Sequence, residues 1–378
     1  MPYASSLSTH NDPGVAVAEA LGEIIDKLGP SPDLTLLFVS GAFTARVEDL
    51  THAVKEILSP GTLLGSTAVS VVSGENEIEE QTAISIFAGN FDGTAAPVRL
   101  GDDVPTVDLW TAGQERFAEP HTLILLADPF SFQTELAISS WRSLFPDLQI
   151  IGGLASAGNA PGVNRLVLDD QIFDSGAVGV LIGGPVKVTS LVSQGCRPIG
   201  SPLIVTKSDG NLLYELAGQA ALSRLQEVIT ELSDDERSLA ASGLHVGRVI
   251  DEHRSDFSRG DFLIRAVLGA DQKSGVVAVG DQMPVGSTIQ FQVRDADSAH
   301  EDLDLLTSSI SPGDGALLFT CNGRGENLFD TPHHDARALA PLVASNAVSG
   351  MFCAGEIGPV GPHSFLHGFT ASAAIFHD

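Results

Sequence analysis

One pattern occurs three times along this chain, and it restricts the possible folds more than any other feature. It runs strand, helix, strand, turn, strand. In the first copy TLLFVS (35–40) precedes an amphipathic stretch with Val47, Leu50, Val54, Ile57 and Leu58 on one stripe. LLGSTA (63–68) and, after a polar stretch, TAISIFAG (82–89) complete it. The second copy reads TLILLAD (122–128), a helical segment around ELAISSWRSLF, IIGGLASAG (150–158) and GAVGVLIGG (176–184). The third reads GALLFTC (315–321), DARALAPLVAS, GMFCAGEIG (350–358) and FLHGFTASAAIF (365–376).

A helix between the first two strands of a copy makes them parallel, and such crossovers are right-handed in nearly all proteins. The third strand follows a shorter connection and is expected to run antiparallel. Widely spaced copies point to layered sheets rather than a solenoid. The expected fold is therefore mixed α/β (α+β), with duplicated strand-helix-strand-strand units in two layered mixed-sheet domains. Residues 203–207, 262–268, 276–280 and 288–293 read as further strands. Residues 211–232 read as one long helix with Leu213, Leu216, Ala217 and Ala220 inward. SDDERSLAASG (233–243) reads as an exposed helix and loop, and PIGSP (198–202) as the break between domains.

Charge excludes some partners. The 48 acidic residues against 20 Lys and Arg give a formal charge of −28, which repels nucleic acid and anionic membrane surfaces. Three cysteines, Cys196, Cys321 and Cys353, supply no disulfide framework and point to a reducing, cytoplasmic setting. The start, MPYASSLSTHNDPG, lacks the basic and apolar regions of a signal peptide, and no apolar run is long enough to span a bilayer. A mean hydropathy of +0.17 is ample for packed cores.

In open α/β sheets ligands favour the crevice beyond the carboxyl ends of parallel strands. Those ends lie at Ser40-Gly41 and Ser66-Thr67 in the first copy, and at Asp128 and Ala155-Ser156 in the second. In the third they lie at Cys321-Asn322-Gly323 and Gly355-Glu356. FTCNGRG and GEIGP should therefore be neighbours in space. Gly323-Arg324-Gly325 starts like a dinucleotide loop, but Leu328 stands where the third glycine is needed, and no phosphate-loop lysine motif occurs. An arginine between two glycines has few packing roles. It is either a solvated turn residue or a guanidinium offered to a carboxylate, with Glu356 the expected internal partner. Cys321, at a strand end near Arg324, could carry a lowered thiol pKa, although a structural cysteine is the default. His333-His334 and His363/His367 lack metal-ligand spacing, and no serine-nucleophile elbow is present, so neither a metal nor a cofactor is expected. The candidate ligand set is Cys321, Asn322, Gly323, Arg324, Gly325, Gly355 and Glu356, joined by Arg294, Ser66 and Ser156.

These motifs resemble the FIST family (F-box and intracellular signal transduction proteins). For its N-terminal domain the match is LLGSTA, IIGGLASAG, GAVGVLIGG and 192–216, although Cys196 replaces an aromatic residue usual there. For its C-terminal domain the match is 262–297, FTCNGRG (319–325), GMFCAGEIGP (350–359) and HGFTAS (367–372). The resemblance divides the chain into a helical lead (1–30), a FIST N-terminal domain (31–200) and a FIST C-terminal domain (201–378), with no F-box or output domain. It implies a small-molecule-binding sensory module for amino acids or related carboxylates, signalling through a separate protein or a homo-oligomer. A thiol-dependent enzyme using Cys321 and an interaction scaffold without a small ligand are the alternatives.

Overall fold

The computed structural model describes residues 2–101, 120–254 and 256–378. The chain packs as two compact units, Met1–Ser193 with Leu303–Asp378, and Gln194–Asp302.

The first unit contains the three copies. Copy one holds β1 (Tyr3–Ser8), α1 (Pro13–Leu28), β2 (Leu34–Ser40), α2 (Val47–Leu58), β3 (Thr62–Ala68), the hairpin β4 (Val71–Ser73) and β5 (Asn76–Ile78), and β6 (Ile84–Gly89). Copy two holds β7 (Thr94–Leu100), β8 (Pro120–Ala127), α3 (Thr134–Leu144), β9 (Gln149–Leu154), the hairpin β10 (Leu166–Leu168) and β11 (Gln171–Phe173), and β12 (Ala177–Gly183). Copy three opens with β13 (Lys187–Gln194). It resumes beyond the second unit, after α6 (Ala296–Ser309), with β21 (Gly315–Cys321), α7 (His334–Leu339) and β22 (Val348–Cys353). The hairpin β23 (Glu356–Val360) and β24 (His363–His367) follows, then β25 (Thr370–His377). The outer strands β1, β7 and β13 had no counterpart in the sequence pattern.

Each copy forms a six-stranded sheet with one order: outer strand, third strand, first strand, second strand, then a hairpin borrowed from another copy. The sheets read β1-β6-β2-β3-β10-β11, β7-β12-β8-β9-β23-β24 and β13-β25-β21-β22-β4-β5. As expected, the first two strands of each copy are parallel and the third is antiparallel. The hairpin exchange is cyclic. Copy one lends β4-β5 to copy three, copy three lends β23-β24 to copy two, and copy two lends β10-β11 to copy one.

Both faces of the central strands are covered, which explains their nearly continuous apolar sequences. In β2, Leu37 and Val39 pack with Val17, Leu21, Leu50 and Val54 of α1 and α2, while Leu36 and Phe38 face a core shared by all three sheets. In β8, Leu123 and Leu125 pack with Ile138 and Trp141 of α3, while Ile124 and Leu126 enter the shared core. Local signals set the helix ends. Asp12 caps α1 by accepting the Val15 amide at 3.0 Å with Pro13 in the first turn, and Ser59 closes α2 in a left-handed conformation.

The second unit holds β14 (Cys196–Asp209), β15 (Leu212–Leu216), β16 (Gln219–Ala220), α4 (Ala221–Glu231), α5 (Asp234–Ser242), β17 (Leu244–Val249), β18 (Phe262–Asp271), β19 (Val276–Val279) and β20 (Thr288–Arg294). The cycle β14-β20-β17-β18-β19-β15 closes on itself through antiparallel β15–β14 pairing, giving a six-stranded barrel. Val205, Leu213, Val246, Val277, Phe291 and Val293 share its core with Leu225 and Val228 of α4. The expected helix over 211–232 is corrected here. Its first half is β15 and β16, turned by Ala217 and Gly218 at positive φ, and only 221–231 is helical. Leu213 and Leu216 are buried as expected, but as barrel residues. Residues 198–202 lie inside β14. The segment around α5 is helical with no buried residue, as read, and begins with a Ser233–Glu236 capping box.

Candidate functional site

The parallel strands of the third copy end in register, Cys321 opposite Cys353, and the Asn322 amide donates to the Cys353 carbonyl at 3.0 Å. The chain then turns sharply. The Arg324 amide returns to the Cys321 carbonyl at 2.8 Å, and Gly325 takes φ of 56°, where a β-carbon would overlap the Glu79 carboxylate. This turn points Arg324 inward, and it is 0% exposed.

Its partner is Asp335, in the first turn of α7, rather than the expected Glu356. The pair is bidentate, with Nε to Oδ2 at 2.7 Å and Nη2 to Oδ1 at 2.8 Å. Thr320 Oγ1 donates to the same carboxylate at 2.6 Å, and His334 Nδ1 lies 2.9 Å from it. Burial alone would raise the Asp335 pKa. The Arg324 guanidinium, with the hydrogen bonds from His334 and Thr320, outweighs it and holds the carboxyl far below the usual range. Glu356 is engaged elsewhere: its Oε2 accepts from Thr370 N at 3.0 Å and Thr370 Oγ1 at 2.9 Å. Burial pushes its pKa up to about 8 despite those bonds and the nearby Arg324.

The hairpin lent by the first copy reaches the same place. Glu77 Oε1 accepts the Ala336 amide at 2.9 Å, and the Glu77 amide donates to His333 Nδ1 at 3.0 Å. Burial, then the charge of Asp335, raises Glu77 to about 8. Glu79 accepts the Glu326 amide at 3.0 Å. Phe329 lies under the guanidinium at 5.2 Å and stacks on His334 at 3.5 Å. Four buried polar atoms here have no hydrogen-bond partner among the described residues: Arg324 Nη1, Glu356 Oε1, Glu77 Oε2 and Asn322 Oδ1. Uncompensated buried polar atoms cost stability, so their concentration around one guanidinium calls for a bound partner or ordered water.

Comparison among the copies isolates this crossover. By strand register Thr320 corresponds to Val39 and Ala127, and Glu356 corresponds to Val71 and Leu166. The first crossover is closed by Ser40 Oγ, which accepts the Ala83 amide at 2.9 Å. At the second, Asp128 accepts Asn164 Nδ2 at 3.1 Å, Ser131 Oγ at 2.7 Å and the Phe130 amide at 3.1 Å. Among the described residues only the third crossover sets a guanidinium beside several buried carboxyls.

Asn322, Gly323 and Cys321 are part-exposed at its rim, while Gly325, Gly355 and Glu356 are buried. Three residues of the candidate set do not join them. Ser66 Oγ donates to the Thr67 carbonyl at 3.2 Å, and Ser156 Oγ donates to the Phe352 carbonyl at 2.6 Å while accepting the Val69 amide at 3.0 Å. Ser156 thus ties the three copies together. Arg294 belongs to the second unit, where it ends β20 opposite Cys196 and depresses the buried His245, itself lowered chiefly by burial. The lowered thiol is also corrected. Burial, then the Glu356 carboxyl, pushes the Cys321 pKa well up, opposite to an activated nucleophile. Among the described residues no three His, Cys, Asp or Glu side chains are placed to hold a metal, and no helix is long and apolar enough to cross a membrane.

Sequence reasoning missed Asp335, Glu77, Glu79 and Thr370. Asp335 lies eleven residues past Arg324, close enough in sequence to be found as a carboxylate in the first turn of the next helix. Glu77 arrives through the hairpin exchange, which no local pattern signals.

Fold and site together define a mixed α/β protein built on a threefold-repeated unit, with a buried polar cluster at the carboxyl ends of one parallel strand pair. The chain belongs to the FIST family: the FIST N domain matches residues 33–219 and the FIST C domain matches residues 221–359. It is 41% identical over 386 residues to an uncharacterized protein of Mycobacterium tuberculosis strain H37Rv, covering 100% of both chains. An uncharacterized protein of Mycobacterium bovis is also 41% identical over 386 residues, covering 100% of this chain and 99% of the relative. FIST domains are associated with signal transduction and small-ligand sensing.

Proposed function

We propose that this protein is a cytoplasmic, non-catalytic sensor for an amino acid or related small carboxylate, held at the third crossover. The observation that carries this reading is the set of unpartnered buried atoms around Arg324. Nη1 is the donor left after Asp335 has taken the other edge of the guanidinium, and it suits one ligand carboxylate oxygen. Glu356 Oε1 and Asn322 Oδ1 suit an amine. The ligand approaches past the part-exposed rim of Cys321, Asn322 and Gly323, and the signal passes to a separate protein or a second copy of the chain. The protonated Cys321 thiol favours binding over thiol chemistry.

A thermal-shift screen of amino acids and α-keto acids tests the reading. A ligand at a hundred times its Kd stabilises the folded state by about 2.7 kcal/mol, a readily measured rise in Tm. Arg324→Lys, which keeps the charge but not the fork, and Asn322→Ala should each reduce that rise. No stabilising compound, or equal shifts in both variants, refutes the placement.

A further inference from the structure

The charge inventory of the crossover restricts what can enter it. Arg324 and Asp335 have side chains 1% exposed and neutralise each other through two hydrogen bonds. Two further carboxyls flank them with one oxygen each unpartnered: Glu356 is 0% exposed and Glu77 is 3% exposed. One cation and three carboxyls in a water-poor site cannot all be ionised, because unpaired buried charge costs several kcal/mol per ion. Two of the carboxyls are therefore kept neutral, and burial does this to Glu356 and Glu77, both raised to about 8. Each is an anion in reserve. Among the described residues the crossover holds no matching reserve of positive charge, since its guanidinium is spent on Asp335.

Resting on the ligand site read above, we propose that the third crossover selects a basic amino acid, net charge +1, in exchange for one proton. The ligand carboxylate meets Arg324 Nη1 and its ammonium groups meet Glu356 Oε1 and Glu77 Oε2. One of the two carboxyls gives its proton to solvent, so the ligand and the four buried groups Arg324, Asp335, Glu356 and Glu77 together return to zero charge, with the part-exposed Glu79 outside this sum. A neutral amino acid completes no such balance while releasing a proton, and an acidic one adds a negative charge beside three carboxyls. The field of a protein at −28 acts in the same direction, concentrating cations near its surface.

The groups facing these carboxyls agree with the exchange. Glu356 meets Cys321 of β21 and Arg324 beyond it, Cys353 of β22, and His367, its register partner on β24. His367 Nε2 lies 2.9 Å from the Gly358 carbonyl. Glu77 meets Asp335 and Arg324, His333 before α7, and Glu79 on its own hairpin. None of them offers a second uncommitted cation.

Calorimetric titration of the full chain at pH 7 with L-lysine, L-norleucine and L-glutamate, in two buffers of different ionisation heat, tests this. Norleucine shares the lysine stem without its second amine. Lysine should bind about tenfold or more tightly than norleucine, a difference of about 1.4 kcal/mol, with about one proton released. Glutamate should bind weakest. Glu356→Gln and Glu77→Gln imitate the neutral carboxyl and remove its proton, so at least one should fold and lose both the lysine-over-norleucine preference and the proton release. Equal affinity for lysine and norleucine with no buffer-dependent heat overturns the charge selection but leaves the amino acid site standing. Absence of any binding sensitive to Arg324→Lys overturns the site itself.

Discussion

Arg324 and Asp335 show how a buried ion pair is tolerated: the fork is satisfied along one edge, and Thr320 and His334 satisfy the carboxylate further. Removing one partner leaves the other charge buried alone. Asp335→Ala should cost about 3–5 kcal/mol in urea unfolding, well beyond the double replacement Arg324→Met, Asp335→Leu. The two raised carboxyls have the opposite pH signature from Asp335. Glu77 and Glu356 hold their protons in the folded chain up to about pH 8, whereas in the unfolded chain they release them near the ordinary glutamate value. Between those values the folded state binds more protons, so their contribution is greatest at the acid end and falls as pH rises to about 8. Asp335 contributes above its unfolded value and loses that contribution only as pH falls toward its depressed folded value. Tm measured from pH 5.5 to 8.5 should therefore slope downward, and the double variant Glu77→Gln, Glu356→Gln should flatten the slope. An unchanged slope would place these protons elsewhere.

Among the elements, the second parallel strand of each copy repeats one device. Gly65, Gly152 and Gly350 pair in register with Leu37, Leu125 and Leu318, and each faces the borrowed hairpin at Val167, Ile357 and Val72. A β-carbon at Gly152 or Gly350 would overlap the carbonyl of its leucine partner, backbone that cannot swing aside. Gly350→Ala and Gly152→Ala should each cost about 3 kcal/mol, the upper end of ordinary overpacking. Gly22→Ala, on the exposed face of α1 with open space around it, should instead stabilise by about 1 kcal/mol. Chemical denaturation of the three variants checks both signs. Such elements were legible because apolar runs, glycine turns and a helical stripe are local properties. The parallel and antiparallel senses of the three recurring strands followed from them, and so did the nearness of Cys321 and Glu356, whereas the outer strands and the borrowed hairpins did not. The long helix over 211–232 failed because Leu213 and Leu216 stand at helical spacing, and their burial in the barrel comes from tertiary pairing that no local period signals. Asp335 displaced Glu356 as partner of Arg324 because the turn at Gly325 fixes which edge of the guanidinium meets α7. Sequence spacing carries no information about that angle.

For the whole molecule, the three copies form a closed cycle of sheets, and the barrel unit is inserted into the third copy between β13 and β21. The insertion leaves and re-enters at adjacent points, since the Gln194 amide donates to Asp302 Oδ2 at 2.8 Å. Replacing 195–301 by a short glycine-serine linker should leave the three-sheet unit folded, with one cooperative urea transition and an m-value reduced with the surface lost. Loss of cooperative unfolding would show that the barrel is required for that fold. The cyclic exchange has a consequence for synthesis. The sheet of the first copy waits for residues 166–173, that of the second for 356–367, and β22 finds the waiting hairpin β4-β5 only when 348–353 has been made. At about 5–20 residues per second, translation takes roughly 20–75 s. The lent hairpin β4-β5 keeps an unpaired strand edge for most of that time, β9 for about half of it and β3 for a shorter span. Such a chain should gain soluble yield from added ribosome-associated chaperones, and slowing translation should lower its yield rather than improve it.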